Sequence, residues 1–262
     1  MNQTSLQTLV APTFKKLHLV RPLVQCLTNE VVQEITANVL LAAGASPAMI
    51  IAKEESRDFA RIANSVLINL GTPYPERLNA MRAAVEGARE AGHPWVLDPV
   101  AAGATPWRNG LMEAYLALRP TVIRGNASEI RALAGMSSSG KGVDSADSSE
   151  AAVDAARLLS KNTGATVFVT GEVDQIIHGD EIQRVEGGVE LTTLVVGTGC
   201  ALSALTAAMV AVSETPFIGA VTASYLCKEA ATRAHAVSRL PGSFAVAYVD
   251  AIHQVSNELN AL

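Results

Sequence analysis

Three short stretches hold side chains whose types and spacing suit chemistry. In VVGTGCALSA, 195 to 204, a β-branched run ends in Gly197-Thr198-Gly199, and Cys200 opens an alanine-rich segment. A strand that turns through glycines into a helix leaves the first helical N–H groups without partners, and these attract anions together with the helix dipole. A cysteine there has its thiolate stabilised. The stretch therefore offers an anion cradle and a reactive sulfur, against the plainer reading of Cys200 as a small packed residue. In WVLDP, Asp98 stands just past an apolar run, where parallel α/β sheets bind ligands, or it is simply an Asp-Pro turn residue. In Arg124-Gly125-Asn126-Ala127-Ser128-Glu129, Asn126 and Glu129 have the spacing of a capping box. The same helix start, with Arg124 beside it, equally suits phosphate or a magnesium-bound water. Carboxylates for magnesium, an arginine for phosphate and an anion-holding helix N-terminus are together the parts that phosphoryl transfer needs.

The elements that must position these residues are legible as an alternation of short apolar runs with longer amphipathic segments. PLVQC (22 to 26) precedes EVVQEITANVLLAAGA (30 to 45), PAMIIA (47 to 52) precedes ESRDFARIAN, and SVLINLG (65 to 71) precedes PERLNAMRAAVEGAREAG. PWVLDP (94 to 99), TVIRG (121 to 125) and ATVFVTG (165 to 171) continue the series. This is the pattern of β-α units around a mostly parallel sheet. DQIIHGDEIQRVEGG, 174 to 188, predicts a hairpin turning at His178-Gly179-Asp180, which makes the sheet mixed. From Gly199 onward the chain predicts helices broken at Glu214-Thr215-Pro216 and at Leu240-Pro241-Gly242. No linker or repeat divides the chain, so 1–262 is expected to be one domain. SSSGKGVDSADSSE, 137 to 150, is expected to be a surface loop within it.

Composition narrows the partners. The 262 residues are 49% hydrophobic and only 4% aromatic, which requires a core of Ala, Val, Leu and Ile. With 20 basic and 25 acidic residues the net charge is −5 and no basic run stands out, which argues against nucleic acid. Cys26, Cys200 and Cys227 lie far apart without metal-type spacing and read as reduced thiols of a cytoplasmic protein, with no secretory signal at the start. No charge occurs between Glu190 and Glu214, an interval long enough to span a bilayer. Its threonines, glycines and missing basic flanks favour a buried helix over a membrane span. The run from Gly135 to Gly142 nearly matches a P-loop, but Gly142 stands where a hydroxyl is needed and the run follows a helix, so it is not read as one.

TNEVVQEITANVLLAAGASPAM (28 to 49), VLDPVAAGATPWR (96 to 108), RGNASEI (124 to 130), VTGEVD (169 to 174) and VVGTGCALSA (195 to 204) together resemble the hydroxyethylthiazole kinases of thiamin salvage. The five blocks occur in that family's order from Pro22 to about Phe244. The resemblance implies a three-layer α/β/α ribokinase-like fold with a mostly parallel, mixed central sheet. It also implies transfer of the ATP γ-phosphoryl group to the alcohol of 4-methyl-5-(2-hydroxyethyl)thiazole. Carried over position by position, Cys200 is the catalytic residue, and Asp98 and Glu129 serve Mg2+ and its waters. Arg124 and Thr170 contact ATP, with Asn126, Gly171 and Glu172 beside them. Met49 and Gly197 contact the thiazole, with Asn29 a neighbour. The family's homotrimers imply sites between subunits. Gln25 departs from a histidine common in relatives, and the roles of Lys141 and Asp144 are left open. The competing readings are another small-molecule kinase of this fold, a thiol enzyme using Cys200 as nucleophile, and a nucleotide-binding regulator without catalysis; a thiol nucleophile wants a nearby base, and the sequence nominates none.

Overall fold

The computed structural model describes residues 3–136 and 145–262. Eight strands form one sheet: β1 (Leu23–Leu27), β2 (Ser46–Ala48), β3 (Ser65–Asn69), β4 (Trp95–Asp98), β5 (Val122–Asn126), β6 (Thr166–Thr170), β7 (Asp174–His178) and β8 (Glu181–Val185). Their order is β2-β1-β3-β4-β5-β6-β7-β8. The first six are parallel, and β7 and β8 are added antiparallel by the hairpin at Gly179. The expected mixed sheet is therefore present.

Ten α-helices are described: α1 (Gln3–Val20), α2 (Gln33–Ala43), α3 (Lys53–Ile62), α4 (Pro75–Ala91), α5 (Pro106–Leu116), α6 (Ala127–Leu133), α7 (Ser145–Thr163), α8 (Thr198–Val210), α9 (Pro216–Val237) and α10 (Pro241–Asn260). Strand side chains alternate between faces, and the apolar ones divide accordingly. Cys26, Leu67, Val96, Val122 and Phe168 join a core built with α1, α2, α8, α9 and α10. Val66, Ile68 and Leu97 pack with residues of α4 and α5, while Ile123, Val167 and Val169 pack with α6 and α7. The result is three layers, helix on sheet on helix. Within one helical layer a small residue lets neighbours approach: a Cβ on Gly87 of α4 would lie 2.2 Å from the Arg57 carbonyl oxygen of α3.

Several expected boundaries shift. The strand at 47 to 52 stops at Ala48, leaving Met49 just beyond it. The run before Gly197 is no strand: Glu190–Leu194 is a short 3-10 helix, and Val195 extends the chain from it toward α8. It lies apart from the sheet's ladders, so the β-branched residues there mark extended backbone only. Ser145–Glu150, expected in a loop, opens α7; Lys141 and Asp144 lie outside the described residues, as does most of the near P-loop run. The charge-free interval after Glu190 contains α8, whose residues Ala201 to Val210 are all buried. Among the described residues no helix is long and apolar enough to cross a membrane.

Candidate active site

Parallel strands end on one edge of their sheet, and that edge collects the polar residues. Asn69 and Asp98 are register partners at the ends of β3 and β4, as Asn126 and Thr170 are at the ends of β5 and β6. Strand parity sends several of these side chains toward α8 and α9. Asn69 follows Leu67 on that face, Asp98 follows Val96, Arg124 follows Val122 and Thr170 follows Phe168.

α8 supplies the opposite wall. Gly197 caps it with φ +93°, and a Cβ there would lie 2.5 Å from Ile35 Cγ2, so the turn needs glycine both for its backbone and for its packing. The first helical bond runs from the Ala201 N–H to the Gly197 carbonyl. The N–H groups of Thr198, Gly199 and Cys200 precede it, as an anion cradle requires. A Cβ on Gly199 would stand 3.1 Å from Arg124 Nη1, which shows how closely the arginine approaches this turn.

Arg124 is 9% exposed, and its Nη2 donates to Thr170 Oγ1 at 2.9 Å. Its Nε has no hydrogen-bond partner among the described residues. It faces a cavity of about 800 Å³ whose lining includes Asn126, Thr170, Gly171, Glu172 and Gly199. A buried, incompletely bonded guanidinium beside a helix start is suited to an oxyanion. The sequence-nominated ATP residues are thus brought together around one cavity.

The nominated metal pair lies behind this wall. Asp98 is 1% exposed, and its Oδ2 accepts from Asn69 Nδ2 at 2.7 Å and from Ser203 Oγ at 2.8 Å. Burial pushes its carboxyl up to about 6; Glu129 adds to the rise, while Arg124 opposes it. Asn126 and Glu129 do form the expected capping box. Glu129 also does more: one carboxylate oxygen accepts from the Asn126 N–H at 2.9 Å and the other from the Ala101 N–H at 3.0 Å, tying α6 to the loop after β4. Two neighbouring carboxylates, one of them desolvated yet still mostly ionised at neutral pH, fit a hard cation. Among the described residues no group of three or more metal-ligating side chains occurs. The pair suits Mg2+, which takes one or two carboxylates and fills its remaining positions with water and phosphate.

At Cys200 one expectation is reversed. Burial, followed by the charge of Asp98, pushes the thiol up to about 11, outweighing hydrogen bonds from the site amides and the charge of Arg124. The helix start does not make a stable thiolate here because the desolvation cost is larger. The sulfur accepts a hydrogen bond from Asn29 Nδ2 at 3.3 Å. An amide partner and a raised pKa do not make a nucleophile.

Asn29 and Gly197 both meet the segment leading into α2, since Gly197 packs on Val32 and Ile35. Met49 is half-buried and packs on the core of the α8 face, while Gln25 Nε2 donates to the Ile50 carbonyl next to it at 3.1 Å. Gln25 therefore does shape the chain beside Met49. None of Met49, Asn29 and Gly197 lines the cavity in front of Arg124. The residues missed from sequence are Asn69, Ser203 and Lys228. The first had a signal: SVLIN ends on a polar residue, as WVLD does.

A family model described as the hydroxyethylthiazole kinase family matches residues 14–258. The chain belongs to the hydroxyethylthiazole kinase family. It is 53% identical over 243 residues to a hydroxyethylthiazole kinase of Cronobacter sakazakii, covering 93% of this chain and 92% of the relative. The structure of a hydroxyethylthiazole kinase from Pyrococcus horikoshii is similar with a TM-score of 0.87 at 37% identity, over 96% of this chain and 95% of that one. A Staphylococcus aureus pyridoxal kinase in complex with ADP shares the fold at 15% identity, TM-score 0.62, over 80% of this chain and 87% of its own. The family's fold is ribokinase-like, as the sequence resemblance implied.

Proposed function

We propose that this kinase transfers the γ-phosphoryl group of ATP to the hydroxyl of 4-methyl-5-(2-hydroxyethyl)thiazole, giving the thiazole phosphate used in thiamin synthesis. The observation that carries the ATP side is the guanidinium of Arg124, buried yet incompletely bonded, facing the cavity beside the N-terminus of α8. In this reading Arg124, Thr170, Asn126 and Gly171 bind ATP, and the α8 amides hold the transferring group. Met49, Gly197 and Asn29 bind the alcohol next to Cys200. Asp98 and Glu129 hold Mg2+, which when bound supplies positive charge against the phosphates.

Cys200 works by position more than by basicity. A thiol near 11 is almost wholly protonated at neutral pH, so it is a weak base. In a loose phosphoryl-transfer transition state the attacking alcohol keeps its proton until late, and orientation contributes most of the rate. The sulfur then orients that hydroxyl, and only its rare thiolate form takes the proton once the new bond is nearly formed.

We take 1–262 as a single domain, since all eight strands belong to one sheet. A homotrimer with sites between subunits is supported by the apolar residues left exposed near Asn29 and Gly197: Val31 at 73%, Leu194 at 67% and Val196 at 69%. Three cysteines without disulfides agree with a cytoplasmic enzyme. The test is a coupled assay of ADP release, with the phosphorylated thiazole identified by mass. Absence of turnover by folded protein supplied with ATP, magnesium and the thiazole alcohol would falsify the reading.

A further inference from the structure

The cavity in front of Arg124 is lined by a second basic residue to which no role has been given. Lys228 of α9 has a side chain only 13% exposed. Its Nζ donates to the carbonyl oxygens of Gly171 at 2.7 Å and Glu172 at 2.8 Å, and lies 3.3 Å from Asp174 Oδ1. An ammonium group has three hydrogens, and these three acceptors account for them. Asp174 is itself buried and bonded through both oxygens: Oδ1 also accepts the Gly171 N–H at 3.1 Å, and Oδ2 accepts from Ser224 Oγ at 2.8 Å. The turn between β6 and β7 is thereby fastened to α9 at Gly171, Glu172 and Asp174.

The same helix fastens the facing segment. A Cβ on Gly188 would lie 2.9 Å from Lys228 Cδ, so that backbone rests on the lysine stem. The Gly188 N–H donates at 3.2 Å to Thr232 Oγ1, one helical turn beyond Lys228. Both backbone segments line the cavity.

We propose that Lys228, with Asp174 and Thr232, is a positioning residue that sets the width of the cavity for the nucleoside part of ATP, and that it is not a ligand of the phosphates. This rests on the ATP reading above. For the ammonium to reach phosphate it must release two carbonyls and abandon a buried carboxylate, and an unpaired buried charge is strongly destabilising. Arg124 has no such commitment: its Nε is unbonded, and it adjoins the helix start where an anion is favoured. One lysine and one arginine in the same cavity thus divide the work, shape to the first and charge to the second.

The test compares the dissociation constants of ATP and of adenosine, each measured on the folded protein. Lys228→Met weakens both by a common factor of about tenfold, the loss expected when one or two wall hydrogen bonds go. KM for ATP rises with them. Thr232→Val, which leaves the ion pair intact, weakens both by a smaller common factor and carries the comparison should Lys228→Met fail to fold. A loss confined to ATP, with adenosine unchanged, identifies Lys228 as a phosphate ligand and overturns the proposal; so does a variant pair that binds both molecules like the parent. Failure of the parent protein to bind ATP defeats the kinase reading first, which separates the two.

Discussion

The Asn29 amide stands between Cys200 and Asn69, donating from Nδ2 to Cys200 Sγ at 3.3 Å and to Asn69 Oδ1 at 3.1 Å. Neither amide is free to flip. Asn29 Oδ1 accepts the Val31 N–H at 3.2 Å and Asn69 Oδ1 accepts the Gly71 N–H at 3.0 Å, so backbone fixes both oxygens. Their nitrogens must therefore point the other way, from Asn69 to Asp98 and from Asn29 to the sulfur. The site is wired in one direction, from a buried carboxylate to an acceptor sulfur.

Breaking that wire at its middle separates orientation from binding. Asn69→Leu removes the acceptor that holds Asn29 and should lower kcat by about tenfold or more, since misplaced groups forfeit much of the positioning contribution. KM for ATP should stay within about twofold, because Asn69 does not line the cavity in front of Arg124 that is proposed to hold ATP. Steady-state kinetics decide it, and an unchanged kcat rules the relay out.

Labelling with iodoacetamide tests the electrostatics of Cys200. With a pKa near 11, up from 9.0, about one molecule in 10⁴ carries the thiolate at pH 7, and reactivity should still be climbing between pH 8 and 10. Cys26 and Cys227, buried and both raised to about 12, should stay unlabelled and report that the protein is folded. The sign for stability follows: the protonated thiol's contribution is intact below pH 9 and is lost as pH rises toward 11. A labelling plateau below pH 9 contradicts the burial argument.

Substitution of Cys200 distinguishes a base from a nucleophile. Cys200→Asp keeps an acceptor for Asn29 and offers a group that ionises far more readily than this thiol, so it should retain activity or exceed the parent. Cys200→Ala should fall by roughly 10²-fold, the low end of general-base contributions. A dead Asp variant together with phosphorylated cysteine in the parent's intact mass would show covalent chemistry instead.

Glu129 has a structural duty that must be separated from its proposed metal duty. Both carboxylate oxygens accept backbone N–H groups, whereas a glutamine side chain has one oxygen to offer, so Glu129→Gln should cost about 1 kcal/mol of stability through lost capping alone. The metal role predicts more: a curve of rate against magnesium displaced to higher concentration, with turnover down by about 10²-fold. A curve that keeps its midpoint leaves Glu129 as a cap.

Gly197→Ala tests the turn that aims α8. The substitution strains a residue at φ +93° and drives a methyl toward Ile35, so urea unfolding should show a loss of about 1–3 kcal/mol. Stability within error of the parent would mean that the turn relaxes freely.

The sequence by itself determined the repeating β-α order, the hairpin that makes the sheet mixed, the capping box at Asn126 and Glu129, and the Gly-rich start of α8. These are local: periodicity of two or 3.6 residues, a cap three residues from its partner, a glycine where φ must be positive. Family resemblance added the nominated site residues at once. Tertiary structure decided what depends on distant chain segments meeting. The extended run before Gly197 is no strand because β-branched residues need a neighbouring strand to complete a ladder, and none pairs with it. Asn69 and Asn29 form a relay only because β1 and β3 end side by side, and Lys228 pairs with Asp174 only because α9 crosses β7. The thiol of Cys200 shows the limit most directly: a helix start, visible in sequence, lowers its pKa, but burial and the approach of Asp98 raise it further. Desolvation depends on everything packed around a group, and no stretch of sequence around Cys200 contains that sum.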